Sequence, residues 1–165
     1  MKASIKKKGF TIVEMLIYMG LLSVLLVSMT ALFSSIIDSR LEAESKSAIE
    51  QDGDFLLARM FYDISRADTI TTPPTSGSSS SSLLLVIGGV TYTYQIASNK
   101  LQLTNNFGSS VLNSESSNIS NLSFTRNGLV GSSSTITTSF TLTSTTRANK
   151  GYEIKDFSTT VGLRK

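Results

Sequence analysis

The stretch from Lys6 to Ile37 reads KKKGFTIVEMLIYMGLLSVLLVSMTALFSSII, and it decides how the rest of the chain is read. Three lysines and a glycine come first. From Phe10 to Ile37 there follow 28 residues with a single formal charge, Glu14. A helix needs about 20 predominantly apolar residues to cross a bilayer, so this segment is long enough. Lys6, Lys7 and Lys8, just ahead of it, place the leader in the cytoplasm and the body outside by the positive-inside rule. A cleavable secretory signal would end in a small-residue site after a shorter apolar run. Ser34-Ser35 is a poor substitute for such a site.

The helical reading continues past the apolar segment. Between Asp38 and Asp68 there is no Pro, and the only Gly is Gly53. Ile49, Leu56, Met60 and Ile64 recur at helical spacing, with Leu57 and Phe61 beside them. Glu42 with Lys46, Arg40 with Glu44, and Arg59 with Asp63 are i,i+4 pairs of opposite sign. The pattern predicts one helix from Phe10 to about Asp68, roughly 85–90 Å long at ~1.5 Å per residue. Its first half is apolar nearly all round. Its second half is amphipathic, with one stripe for a core to cover, and core packing explains that stripe without a cofactor site.

Thr71-Thr72-Pro73-Pro74 is expected to end the helix, since Pro cannot continue one. The run from Ser76 to Ser82 is expected to be a flexible link. Beyond it the period changes to two. Leu83 to Ile87 is an apolar run, Gly88-Gly89 is a hairpin signal, and Val90 to Ile96 alternates. Ser98-Asn99-Lys100 turns the chain into Leu101-Gln102-Leu103. Further strands are predicted over 119–126, 135–145 and 157–163, with Ile136, Thr138, Phe140 and Leu142 facing inward. The fold class is therefore α+β: a long N-terminal helix packed against a C-terminal antiparallel sheet of four to six strands. The organisation read from these signals is a leader over 1–9, a transmembrane half-helix over 10–37 and an amphipathic half over 38–72. A Pro/Ser-rich linker over 73–82 and an extracytoplasmic β domain over 83–165 complete it.

Composition narrows the chemistry. The 165 residues include no Cys and no His, which excludes disulfide scaffolds, thiol catalysis, His-dependent triads and His-ligated metals. With 29 Ser and 19 Thr, the chain is rich in small hydroxyls. The net charge of +3 is unevenly placed: +4 in residues 1–9, −5 in 10–68 and +4 in 69–165. The basic character thus belongs mostly to the N-terminus, and nucleic acid is not indicated. Asp38, Glu42, Asp52 and Asp54 read as the solvated face of a helix rather than as a Ca²⁺ site. Asn118-Ile119-Ser120 and Asn121-Leu122-Ser123 fit the N-glycosylation pattern, which matters only in a host with that pathway. Tyr92 and Tyr94 share a face and are expected to pack. The hydroxyl-rich surface suits O-glycans, or simply keeps a domain of low charge soluble. The sequence calls for no catalytic residue, metal ligand or cofactor.

The run Lys6-Lys7-Lys8-Gly9-Phe10-Thr11-Ile12-Val13-Glu14, followed by the long apolar helix, closely resembles the N-terminus of type IV prepilins. It is equally similar to the pseudopilins of type II secretion and DNA-uptake machines. The resemblance implies that a membrane prepilin peptidase cuts the Gly9–Phe10 bond and that Phe10 becomes an N-methylated N-terminus. Lys6, Lys7 and Lys8 supply the leader charge. It also implies that Glu14 pairs with the terminal amine of a neighbouring subunit and so sets the axial register. A carboxylate in an apolar helix is costly without a partner, which fits that role. The other reading of Glu14 is an acid favoured by the helix dipole and snorkelling to the interface. The helix lacks the Pro that many pilins carry, and Gly20 is its nearest loosening residue, so a melted segment stays an open matter.

The C-terminal zone, with Tyr92-Thr93-Tyr94, Lys100-Leu101, Asn121-Leu122-Ser123-Phe124 and a final Phe157, Val161, Leu163, Arg164, looks like the J-type minor pseudopilins and similar minor pilins. It lacks the Cys pair of their common C-terminal loop. The implied partners are other pilin or pseudopilin subunits, the prepilin peptidase, a pilus or secretion assembly platform, and membrane lipid before assembly. The implied location is a single pass of the cytoplasmic (inner) membrane, then an extracytoplasmic pilus or pseudopilus. Two other classes stand beside this one: a signal-anchored, adhesin-like surface binding module, and an anchored enzyme.

Overall fold

In the computed structural model, which describes residues 9–128, 134–148 and 150–163, helix α1 runs from Ile12 to Ser65. Lys6, Lys7, Lys8 and Arg164 lie outside the described residues. The chain divides into two units, the first ending at Arg40 and the second starting at Leu41. In the first unit the described structure is helix from Ile12 onward. Its apolar side chains are exposed on every side, as an apolar-all-round helix must be when no protein covers it.

In the second unit the helix buries one stripe. Ile49, Leu56, Met60 and Ile64 are all fully buried, as their spacing predicts. Leu57 is half-buried against the same cluster. Phe61 differs from expectation: it is 55% exposed, because it sits one position beyond the stripe on the outward side. The helix also ends earlier than the Pro pair. Ala67 donates its N–H to the Ile64 carbonyl, and Asp68 donates its own to Val86 and accepts from the Gly88 N–H at 2.7 Å. These bonds turn the chain off the helix and into the sheet before Pro73 is reached.

The described strands are β1 (Thr69–Thr72), β2 (Ser79–Ser80), β3 (Leu83–Ile87), β4 (Val90–Ala97), β5 (Lys100–Asn105), β6 (Gly108–Val111), β7 (Ser117–Asn127), β8 (Thr135–Ala148) and β9 (Gly151–Gly162). They form two antiparallel sheets rather than the single sheet of four to six strands expected: β1-β3-β4-β5-β6 and β2-β7-β8-β9. Short, polar β1, β2 and β6 gave no alternation to read. Both two-residue turns, Gly88-Gly89 and Ser98-Asn99, hold positive φ throughout, as the primed hairpin turns require. The Ser76–Ser82 run is not a free link. Ser79 and Ser80 pair with Thr125 and Phe124, and Gly77 and Ser78 exchange backbone bonds with Arg126. The Arg126 guanidinium fastens the same passage by donating to the carbonyls of Ile70, Pro73 and Pro74.

One core joins both sheets to the helix. Leu83, Leu85, Tyr94, Leu101 and Leu103 come from the first sheet, and Ile119, Phe124, Ile136, Phe140, Leu142, Phe157 and Val161 from the second. Ile136, Thr138, Phe140 and Leu142 all face inward as predicted. Their outward neighbours on β8 are Thr135, Thr137, Ser139, Thr141 and Thr143, so the exposed face of the second sheet is lined with hydroxyls. At Gly53 the helix backbone meets the sheet directly. A Cβ there would lie 2.1 Å from the Phe157 ring, which in turn stacks on Phe140 with centroids 5.5 Å apart.

Gly53→Ala separates two effects of opposite sign. Helix propensity favours Ala by about 1 kcal/mol, but overpacking against the Phe157 ring typically costs about 1–3 kcal/mol. Denaturant unfolding of the detergent-solubilised chain should show a net loss of stability. The loss should shrink when Phe157→Leu is added, because the ring is the obstacle. A more stable single variant would mean that the ring moves aside freely.

Candidate assembly site at the N-terminal helix

Gly9 and Phe10 lie outside the helix, and Thr11 caps it. The Glu14 N–H donates to Thr11 Oγ1 at 3.2 Å, and the Met15 N–H donates to the Thr11 carbonyl at 3.1 Å. Thr11 is thus the N-cap and Glu14 the third helical residue, the T-x-x-E spacing of a capping box. That spacing stands in the sequence immediately before an apolar run, so the cap was readable there and was missed. The Phe10 ring, 70% exposed, packs edge-on to Tyr18 two turns along, with centroids 6.0 Å apart. Around Gly9, a Cβ would meet nothing within 4 Å, so the backbone at the Gly9–Phe10 bond is open.

From Phe10 to Ile37 the helix has one ionisable group with a formal charge at neutral pH, the partly exposed Glu14. Its 18-residue window has a mean hydropathy of 2.2 and no buried residue. Three hydroxyls in this segment return to the helix's own backbone. Ser23 donates to the Gly20 carbonyl at 2.8 Å, Ser28 to Val24 at 3.0 Å and Thr30 to Leu26 at 2.9 Å. Each of these three donors is already satisfied, which removes most of its cost of entering hydrocarbon. The large side chains from Phe10 to Ile37 are exposed, and each gains about 1.5–3 kcal/mol on leaving water. Such a surface needs lipid or other protein around it. The segment can pack against lipid or protein, and its one carboxylate can pair with one cation.

The second unit contains the groups an enzyme reading would use. Asp63 is 2% exposed and accepts from Arg59 Nε at 2.9 Å and from the Tyr94 hydroxyl. Burial pushes the Tyr94 phenol well above its ordinary range, and the Asp63 carboxylate adds to the shift. Arg59 is held above its usual value: burial opposes this, and Tyr94 and Asp63 outweigh it. Tyr94 and Asp63 are buried where α1 meets β4, and the Arg59 side chain, 38% exposed, reaches Asp63 from the surface. Arg59–Asp63 was expected as a helical pair, whereas the Tyr94 link, set by tertiary packing, had no sequence signal. Glu42 pairs with Lys150 at 3.1 Å rather than with Lys46, and Asp52 accepts from Ser114 N–H, Ser114 Oγ and Ser117 Oγ. Two of the four acids set aside as a Ca²⁺ site, Glu42 and Asp52, thus have other partners, and no group of three metal-capable residues occurs among the described residues.

Residues 5–30 match the family described as the prokaryotic N-terminal methylation motif. No curated protein and no solved structure matches the chain.

Tyr94→Phe should lower stability by about 1–3 kcal/mol, since Asp63 loses one of its two partners. The pH dependence has a definite sign. The folded phenol titrates above the unfolded value of about 10, so its contribution is complete below that pH and is lost as pH rises past it. The gap between wild type and Tyr94→Phe should therefore narrow between neutral pH and about pH 11 in urea unfolding. A constant gap would show that the phenol does not hold its proton more tightly in the fold.

Proposed function

We propose that this chain is a type IV pilin-like, prepilin-type precursor anchored by a single membrane helix, and that it is a structural subunit of a type IV pilus or pseudopilus. The leader, residues 1–9, stays in the cytoplasm until the prepilin peptidase cuts between Gly9 and Phe10. Phe10 is then N-methylated, and the body stands outside the membrane. The resemblance of the C-terminal zone to minor pseudopilins supports a minor rather than a major subunit. The observation that carries the reading is the segment from Phe10 to Ile37: apolar on every side, uncovered, and with its one carboxylate a helical turn from the bond to be cut.

Those features support a definite sequence of events. Lipid solvates residues 10–37 first. When an assembly platform draws the helix out of the bilayer, water cannot replace lipid around it, so the segment must pack on the helices of other pilin-like subunits. Cleavage supplies a cation at Phe10, and burial of that amine requires a counter-charge. Glu14 of an adjacent subunit provides one, and the pair fixes how far one helix slides past the next. Capping by Thr11 and pairing by Glu14 are compatible, because the cap uses the backbone N–H of Glu14 and leaves its carboxylate available.

One experiment tests both steps. In cells that contain a prepilin peptidase, intact mass of the protein should show loss of residues 1–9 and a single added methyl group. Glu14→Gln should insert and fold its outer unit like wild type, yet be depleted from sheared filaments. Leaving a buried charge unpaired costs about 3–5 kcal/mol, which is orders of magnitude in incorporation. An uncut chain starting at Met1 would overturn the processing step and favour the signal-anchored module. Equal filament-to-membrane ratios for Glu14→Gln and wild type would overturn the register role.

A further inference from the structure

We propose that the outer face of the four-stranded sheet binds a neutral, hydroxyl-rich glycan chain, centred on Asn121, Thr141 and Asp156. This inference rests on neither the processing nor the assembly reading, since every residue it uses lies in the second unit.

The face is built in rows by the strand register. Thr125, Thr137 and Thr160 are opposite one another across β7, β8 and β9, and Ser123, Ser139 and Ser158 form the next row. Strands lie roughly 4.8 Å apart, close to the length of one hexose unit. The first row is already satisfied: Thr137 Oγ1 is 2.9 Å from Thr160 Oγ1 and accepts from Asn127 Nδ2 at 3.2 Å, and Thr125 Oγ1 is 2.8 Å from Ser79 Oγ.

The neighbouring part of the face is different. The register of β7 against β8 shifts between Ser120 and Ser123, and within that bulge Asn121 takes a left-handed φ of 52°. The bulge lets two successive residues, Ser120 and Asn121, face outward while Leu122 stays in the core. Bulges commonly re-aim a side chain in this way next to binding sites. Asn121 Nδ2 donates to Thr141 Oγ1 at 3.3 Å, and Thr141 Oγ1 donates to Asp156 Oδ1 at 2.6 Å. The chain of bonds orients three polar groups and leaves Asp156 Oδ2 and Asn121 Oδ1 as open acceptors. Ser139 and Ser158 flank them, and their hydroxyls make no hydrogen bond to the described residues. Together with Phe140 and Phe157, these five residues line a shallow depression of about 340 Å³.

The donor and acceptor set selects the ligand. Asp156 has no cation within ion-pair distance among the described residues, so an anionic ligand would meet a carboxylate without compensation. One carboxylate with a few neutral oxygens is too few for Ca²⁺, which takes 6–8 oxygen ligands. What remains is a ligand that both donates and accepts many hydrogen bonds without charge. Vicinal sugar hydroxyls do this: one donates to Asp156 Oδ2 as a charge-assisted bond, and its neighbours exchange bonds with Ser139, Ser158 and Asn121. The Phe140 and Phe157 rings lie in the core beneath the strands and offer no stacking surface. Affinity per sugar is accordingly low, in the millimolar range, and grows when several units lie along the rows or several subunits act together.

The test uses the full chain in phosphocholine-headed micelles, so that no sugar headgroup competes. Neutral hexasaccharides of glucose and of N-acetylglucosamine are titrated while amide NMR shifts are followed. Saturable shifts at the Asn121 side-chain amide and at the Ser139, Thr141 and Ser158 backbone amides are expected for at least one of them. Asp156→Ala should weaken binding by about tenfold or more, the scale of a lost charge-assisted bond. Asn121→Gly, which keeps the left-handed backbone, should weaken it as well, and an unchanged Tyr94 signal reports an intact fold in both variants. Three results would overturn the proposal: no saturable shift with either sugar, binding indifferent to both variants, or the same shifts produced by CaCl₂ or a lysine-rich peptide but not by the sugars.

Discussion

The second half of α1 carries a single stripe of side chains that must leave water, and the rest of the second unit is built to cover it. Ile49, Leu56, Met60 and Ile64 are the four large members, spaced so that a straight helix keeps them on one line. Each gains about 1.5–3 kcal/mol by burial, and both sheets contribute to the core that buries the stripe. The first sheet brings Leu83, Leu85 and Leu101 to the core; the second brings Phe124, Phe140 and Phe157. Gly53 lies in the middle of the stripe, where its missing side chain lets the Phe157 ring reach the helix backbone. A helix that is only locally amphipathic thereby acquires a two-sheet cover in a chain that has no Cys for a disulfide.

Polar groups on the flanks of the stripe fix where the strands lie. Asp63 ties α1 to β4 through Tyr94, and Asp52 ties α1 to the passage between β6 and β7 through Ser114 and Ser117. Lys100 closes the same passage from the sheet side by donating to the carbonyls of Ser114 and Ser117 at 2.6 and 2.7 Å. These bonds differ in worth from the Glu42–Lys150 and Glu50–Lys155 pairs, which are substantially exposed. Exposed pairs contribute about 0–1 kcal/mol and are screened by salt. Position, rather than charge count, decides which acids of the helix matter to the fold.

The features that were legible in the sequence share one property: they repeat over many residues or depend on adjacent ones. Helix α1, its buried stripe, the Gly88-Gly89 turn and the inward face of β8 all belong to this kind. The motif around Gly9, Phe10 and Glu14 does too, because its parts are neighbours in the chain. Strands β1, β2 and β6 were not legible. They are two to four residues long and largely polar, and only pairing with a longer strand makes them strands at all. The Tyr94–Asp63 link spans 31 positions, and the Phe157 contact made Gly53 necessary across more than 100. Such contacts leave no periodic trace. The T-x-x-E cap at Thr11 is the exception, a local signal that the apolar run beside it overshadowed.

The abundance of Ser and Thr then has two separate physical explanations. In the apolar half of α1 a hydroxyl is tolerated only because it can donate back to a carbonyl three or four residues earlier, as Ser23, Ser28 and Thr30 do. In β8 the same residue types face outward in alternation with Ile136, Phe140 and Leu142, where a branched β-carbon suits the strand and the hydroxyl faces water. Thr138 follows neither rule. It points into the core, fully buried, and its Oγ1 has no partner among the described residues. A buried, unpaired hydroxyl costs stability that an isosteric Val would not, so strand propensity and packing volume account for its shape and not for its oxygen. The outward hydroxyls carry the opposite logic: they add almost no charge to the sheet and leave a surface whose contacts are set by hydrogen-bond geometry rather than by electrostatic attraction.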